Sequence, residues 1–361
     1  MPTRGDVRAH IPEACFERST TRSLSYLFGS LTLVVALVGA ATFIPMTWWW
    51  APAWAAYAIA TGTAATGLWV IAHECGHGAF SPNQRLQDGV GFVLHTALLV
   101  PYYSWQRSHS VHHAATNHLE LGETHVPARV RRSPAEHPTA GDATGRRTRV
   151  RTLLVLLRSL LLGWPAYLLF GATGSPQRGP TNHFWPARPF RTDLFPPRWH
   201  QRVWLSAVAV IAVIGVLAAW AVAVGSIVPV ALFYIGPYLV VNAWLVAYTW
   251  LQHTDVDVPH FEDREWTWML GAFQTVDRPY GHFIDLLHHR IGSTHVAHHI
   301  DHRIPHYHAA AATIAIQVTF PQWYRFDPTP VPSALWRVAS ECVAVQGTPG
   351  GWYFRLPTSA S

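Results

Sequence analysis

The sequence predicts an all-α multi-pass membrane protein: four transmembrane helices with re-entrant or interfacial helices beside them, capped on the cytoplasmic side by a histidine-rich layer. Three observations predict it. Half of the 361 residues are hydrophobic, and they gather in blocks rather than spreading evenly. The basic residues, all 26 of them Arg, lie mostly between those blocks. The 23 histidines fall largely in tight clusters, more imidazole than packing requires.

Four blocks, about 24–45, 53–72, 203–224 and 228–249, are long enough to cross about 30 Å of hydrocarbon at about 1.5 Å per residue. The first reads as a retained transmembrane helix rather than a signal peptide. Asp6, Glu13 and Glu17 precede it alongside four Arg, and no small-residue cleavage site follows. The run from Val90 to Val100 is too short to span and holds His95, so it is expected to be re-entrant or packed internally. Leu153 to Phe170 has the length, but Arg158 interrupts it and Pro165 and Gly171 should bend and end it, which predicts an interfacial helix.

Charge supports this count. The connections Thr47–Pro52 and Gly225–Val228 contain no Arg, whereas 102–202 contains 14, and Arg-rich segments stay in the cytoplasm. Four crossings then place the N-terminus and the segments 73–202 and 250–361 on one cytoplasmic side, with every histidine cluster. A fifth crossing at 153–170 would separate the last cluster from the first two. The stretches 129–151 and 172–200 read as surface connections, with no internal repeat, so residues 1–361 form a single domain.

The formal charge of +6 is dispersed rather than gathered on one tail or helix face, which argues against nucleic acid. Arg does suit the headgroups of anionic membrane lipid and an acidic protein partner. Cys15, Cys75 and Cys342 are too few and too scattered for a disulfide framework, so three reduced thiols are expected.

Three clusters share helical spacing: His73 and His77 in HECGH, His109, His112 and His113 in HSVHH, and His295, His298 and His299 in HVAHH. Residues three and four apart sit on one helix face, and such a face is costly to bury unless a cation or hydrogen-bond partners satisfy the rings. His253, at the end of the last predicted crossing, is a ninth candidate. Nine ligands exceed what one metal takes, so two metals are the natural count. Glu74, Asp255, Asp277 and Asp301 are available to orient the rings, although a solvated or capping role fits each equally. His10, His95, His137, His183 and His200 read as satisfied or surface side chains. His118, His260, His282, His288, His289, His302, His306 and His308 receive no ligand role.

HECGH also fits the zinc-protease pattern HExxH, but that reading needs one further ligand and leaves both HxxHH clusters without a purpose. A membrane metal carrier is the non-enzyme rival. It would carry polar groups inside its spans, and these four are nearly devoid of charge.

The residues resemble the membrane fatty acid desaturases, specifically the branch that introduces omega-6 (Δ12) or omega-3 double bonds into acyl chains already carrying one. The likeness runs through IPEACFERSTTRSLSYL (11–27), HECGHGAFS (73–81), LVPYYSWQRSHSVHHAATNH (99–118), LQHTDVDVPHF (251–261), EWTWMLGAFQTVDRPYG (265–281), THVAHHIDHRIPHYHA (294–309) and FDPTP (326–330). The first box is shorter than in the Δ9 acyl-CoA type. The third begins with His295, where front-end desaturases have Gln, and no fused cytochrome b5 motif HPGG is present. Gly78 departs from the larger polar residue of many relatives, and 129–200 matches poorly.

The resemblance implies that His73, His77, His109, His112, His113, His295, His298 and His299, with His253 as a ninth, hold two Fe ions. O2 is then the co-substrate and a fatty acyl chain the substrate, on a lipid, on coenzyme A or on a carrier protein. Acyl hydroxylation, acetylenation and conjugation are alternative outcomes of the same centre. An unactivated methylene has no acidic proton, so an oxidant stronger than any side chain is required. The electrons must come from a separate donor of ferredoxin or cytochrome b5 type, because no haem, flavin or iron–sulfur motif occurs here. Trp105, Trp250, Trp266 and Trp268 are expected to anchor the membrane interface in preference to lining an acyl tunnel.

Overall fold

The computed structural model describes residues 1–130, 147–348 and 350–354. Its helices are α1 (Arg4–His10), α2 (Thr20–Ala41), α3 (Ala51–His77), α4 (Gln84–Ala97), α5 (Tyr102–Ala114), α6 (Arg149–Phe170), α7 (His200–Ala223), α8 (Val228–Val230), α9 (Gly236–His253), α10 (Trp268–Phe273), α11 (His282–Leu287), α12 (His295–Ile300), α13 (His306–Thr319) and α14 (Val331–Glu341). A π-helical turn, Ala231–Ile235, joins α8 to α9. The all-α expectation has one small exception, an antiparallel hairpin of β1 (Gln346–Thr348) and β2 (Gly351–Tyr353).

Five helical stretches are long and apolar enough to cross a membrane: Thr20–Ala41, Trp48–His77, Arg149–Phe170, Pro197–Ala223 and Val228–His253. Four correspond to the expected spans. The second and last run further than the hydropathy blocks, to His77 and His253, so these histidines ride on continuous helix instead of a loop. The fifth, α6, corrects the expectation of an interrupted segment. Pro165 removes a hydrogen bond without breaking the helix, and α6 stops at Gly171, whose φ of 64° lets its N–H reach back to the carbonyls of Ala166 and Tyr167.

The outward faces of α2, α6 and α7 carry exposed Phe28, Val35, Leu154, Leu162, Val208 and Val216. An apolar surface of that extent suits hydrocarbon and not water. By contrast α3 is the buried axis of the bundle, packed by α2, α4 and α9. Its run Gly62-Thr63-Ala64-Ala65-Thr66-Gly67 is small enough for close backbone approach. At Gly62 a Cβ would sit 2.5 Å from the Pro237 carbonyl oxygen and from Val240 Cβ, so only glycine admits α9 there. Trp244 Nε1 donates to Thr63 Oγ1 across the same seam at 3.0 Å.

Below the bundle, α1, α10, α12 and α13 close on a second core built from Val7, Ile11, Phe273, Val296, Ile300 and Ile316. The expected re-entrant segment is α4, which packs on α3 and α7 and buries His95. The expected connection at 129–151 falls largely outside the described residues, as does His137. The 172–200 connection folds against α6, with Asn182 Nδ2 donating to the Leu169 carbonyl at 2.9 Å. The three cysteines are buried free thiols.

Gly62→Leu should overpack the α3–α9 seam and lower stability by about 1–3 kcal/mol or more. Gly29→Ala, where nothing lies within 4 Å of the added Cβ, should be neutral or slightly stabilising. Thermal unfolding of both variants in detergent checks the pair.

Candidate metal centre

Four helical pieces from distant parts of the chain end at one place. The last turns of α3 carry His73 and His77, α5 carries His109, His112 and His113, the end of α9 carries His253, and α12 carries His295, His298 and His299. With only six residues, α12 is too short to stand alone. Its apolar face, Val296, Ala297 and Ile300, is buried in the lower core, which turns the three histidines the other way. Asp277 Oδ1 accepts from the Val296 N–H at 2.9 Å, and the Asp301 N–H donates to the Ala297 carbonyl, also at 2.9 Å.

The rings meet through their Nε2 atoms. His109 Nε2 is 3.0 Å from that of His73 and 3.2 Å from that of His113, which is 3.1 Å from that of His298. His77 completes this group, in which one ligand atom from each of the five residues lies within 4.8 Å of every other. His112, His253 and His299 form a second such group. His295 joins it, its Nε2 lying 3.0 Å from that of His253. All nine candidates therefore converge, on two foci.

A neutral imidazole has one N–H and one lone pair, so several Nε2 atoms facing one point cannot all be satisfied by shared protons. Buried ring nitrogens at His113 Nδ1, His295 Nδ1 and His299 Nε2 also have no hydrogen-bond partner. Burial, reinforced by neighbouring histidines, pulls His109, His113, His295, His298 and His299 well below the usual imidazole range, and His112 down to about 3. Neutral rings with converging lone pairs are what a cation needs.

None of the four available carboxylates touches a cluster ring. Glu74 accepts from His306 with both oxygens, from the backbone N–H at 2.5 Å and from Nδ1 at 2.6 Å. With both oxygens held, it is not the free base of an HExxH protease. Asp301 pairs with Arg4 and Arg8. Asp255 binds Arg278 at 2.5 Å and Arg337 at 2.6 Å, and Asp327 pairs with the same two cations. Asp277 takes the Tyr324 hydroxyl at 2.9 Å in addition to α12. Apart from Glu74, which holds the His306 ring outside the cluster, these acids brace backbone, arginines and helix ends.

Sequence reasoning placed the remaining histidines unevenly. His183 is a satisfied core residue, its Nε2 2.9 Å from Ser108 Oγ and its Nδ1 3.2 Å from the Leu168 carbonyl. His10 is exposed and bonded to the Asp6 carbonyl, and His200 to that of Phe195. His95 departs from its expectation: it is fully buried against Trp105, with neither ring nitrogen partnered. His302 comes closer to the centre than its place outside HVAHH suggested, its ring 4.7 Å from that of His77 and 5.4 Å from that of His113. His125 stacks 5.6 Å from His253.

A cavity of about 300 Å³ adjoins the centre, bordered by His109, His112, His253 and His295 and walled by Trp69, Trp105, Trp164 and Tyr167. Two of the four tryptophans expected at the membrane interface border this cavity. Trp105 stacks 4.7 Å from His109, and it and Trp250 line the cavity. Trp266 and Trp268 donate through Nε1 to the carbonyls of Thr116 at 2.8 Å and His113 at 3.0 Å, fixing the end of the HSVHH helix. Glu123, unmarked by any motif, also lines the cavity. It is 3% exposed, accepts from Tyr167 at 2.9 Å, and burial pushes its carboxyl up to about 8.

Residues 47–327 match the family model described as fatty acid desaturase. The chain is 41% identical to the Delta(12)-acyl-lipid-desaturase of Punica granatum, over 97% of this chain and 90% of the relative. It is 40% identical to the Delta(12)-fatty-acid desaturase of Arabidopsis thaliana (95% and 87% covered) and to the Delta(12) fatty acid desaturase of Mortierella alpina (94% and 87%). Matches of that extent, on a chain whose histidines gather as described, make this protein an oxidoreductase of the fatty acid desaturase family.

Proposed function

We propose that the protein inserts a double bond at the Δ12 position of a fatty acyl chain, and that His73, His77, His109, His112, His113, His253, His295, His298 and His299 hold the two irons for it. The observation that carries the reading is the convergence of these rings on two foci beside one largely apolar cavity. Two irons and O2, reduced by an external donor, supply the oxidant that an unactivated methylene requires. The residues of the chain do the placing. Trp69, Trp105 and Trp164 give the cavity apolar walls that exclude water and hold an extended chain, and an error of about 1 Å in such placement is costly. Burial favours the neutral form of Glu123, which reduces the charge its carboxyl brings to that lining.

The topology follows from the same convergence. HSVHH precedes α6 and α7, and HVAHH follows α9, yet their rings meet. Only an even number of crossings between them permits this. We therefore assign α2, α3, α7 and the α8–α9 unit as the four crossings, with α6 along the interface, where Arg158 is exposed among its aliphatic residues. The centre faces the cytoplasm, the side on which Arg-rich connections are retained.

Expression in a desaturase-free host supplied with a Δ9-monounsaturated acyl lipid should yield the Δ9,Δ12 product by gas chromatography. His298→Ala should lower it by more than about 100-fold, beyond what losing an outer partner of a ligand costs, and reduce bound iron. An unchanged profile in both strains would remove the acyl reading.

Arg149 opens α6 and Gln177 lies beyond its other end, and the native cysteines are buried, so Arg149→Cys and Gln177→Cys can be labelled against a low background. An impermeant maleimide should label both from the same face of oriented vesicles. Labelling from opposite faces would make α6 a crossing.

A further inference from the structure

Every turnover of the proposed reaction needs electrons from outside, and the surface nearest the first histidine group has a distinctive charge. Arg4 and Arg8 lie one turn apart on α1 and close on the buried carboxylate of Asp301, their side chains 43% and 42% exposed. Arg303 is exposed beside them, its N–H 3.2 Å from Asp301 Oδ1. Burial and the charge of Arg303 lower the pKa of Arg4, which places the two guanidiniums in one field. Three cations against one carboxylate leave this patch at +2. Asp6, between the two arginines in sequence, falls on the opposite helix face and closes a capping box with Thr3.

Two short links run from the patch to the metal-facing rings. The Arg4 guanidinium sits 5.1 Å from the centroid of Trp268, whose Nε1 donates to the His113 carbonyl at 3.0 Å. His302, the neighbour of Arg303, lies 4.7 Å from His77 and 5.4 Å from His113, ring to ring. A cationic patch attracts and orients an anionic partner.

We propose that Arg4, Arg8 and Arg303 form the docking surface for an acidic one-electron carrier protein, with Trp268 and His302 as the protein between that carrier and the first histidine group. The proposal rests on the desaturase reading and adds where the donor binds. Each docked carrier is oxidised by one electron. Two such events, one O2 and two protons convert a –CH2–CH2– pair to –CH=CH– and release two molecules of water, so all atoms and electrons are accounted for.

The test uses the iron-loaded full chain in nanodiscs, with an acidic plant-type ferredoxin as probe and an acidic cytochrome b5 haem domain as a second. Arg303→Glu should weaken binding of the recognised carrier about ten-fold at low ionic strength, chiefly through the association rate. The difference should vanish at high salt. Arg4→Gln should weaken binding less. Arg191→Glu, an exposed charge reversal in the 172–200 connection, should match wild type. Iron content, and product formed with a small chemical reductant, should be equal in wild type, Arg303→Glu and Arg191→Glu. If neither carrier binds wild type, or if Arg303→Glu and Arg191→Glu bind alike, the patch is not the docking surface. Failure of wild type to hold two irons or to make product with the chemical reductant would instead overturn the desaturase reading, independently of the carrier result.

Discussion

Imidazole lone pairs aimed at a common point repel one another, and burial removes the water that would otherwise screen and bond them. Five rings on one focus and four on the next are tolerable only around cations, so the fold must hold this arrangement against its own electrostatics. That constraint explains why α3 and α9 continue as helix past their apolar stretches. A loop at His73–His77 or at His253 could turn its rings outward, whereas a helix committed to the bundle cannot. It also explains the dense packing of α3, whose small residues let α9 come close enough for their ends to share one site.

The six-residue α12 faces the hardest version of the problem, because it supplies three rings with almost no helix of its own. Its hold comes from acids that never touch the rings. Asp277 fixes one end, and Asp301, tied to α1 by Arg4 and Arg8, sits at the other. Behind them Arg278, fully buried, bridges Asp255 and Asp327 and donates through Nε to the Leu251 carbonyl at 3.1 Å, just before His253. Buried ion pairs of this kind are weak sources of net stability but strong constraints on geometry, since breaking one leaves an uncompensated charge. The second layer of the centre is thus a frame around helix ends.

How far the sequence was readable follows from which signals are local. The three boxes were legible because helical spacing places their rings on one face before any tertiary contact is known, and His253 because it ends the last apolar block. Four apolar blocks were legible because hydrocarbon imposes a length. The failures have equally physical causes. Pro165 and Arg158 argued against a continuous α6, but Pro near a helix end sacrifices little, and an Arg exposed on the helix surface needs no burial. Composition also could not reveal that the indole N–H groups of Trp266 and Trp268 bond carbonyls some 150 residues away. Glu123 carried no motif at all, and its significance arises only from the cavity that forms around it.

The two histidine groups differ in what surrounds them, and that difference has consequences for a centre doing oxidative chemistry. The second group is buried on every residue, and His112, His253 and His295 border the cavity of about 300 Å³, which His73 and His109 of the first group also reach. The first group also reaches a second cavity, of only about 20 Å³, the room of a single water, which His77 and His298 border together with His302 and His306. An apolar chain and a charged redox partner cannot share one approach, since the first requires a dry wall and the second a wet, cationic surface. In the proposed arrangement the acyl cavity adjoins both groups, whereas the arginine patch approaches through His77 and His113, which do not line it, so the two approaches stay apart. The proposed oxidant would then form where the chain lies while its electrons arrive through the cationic surface.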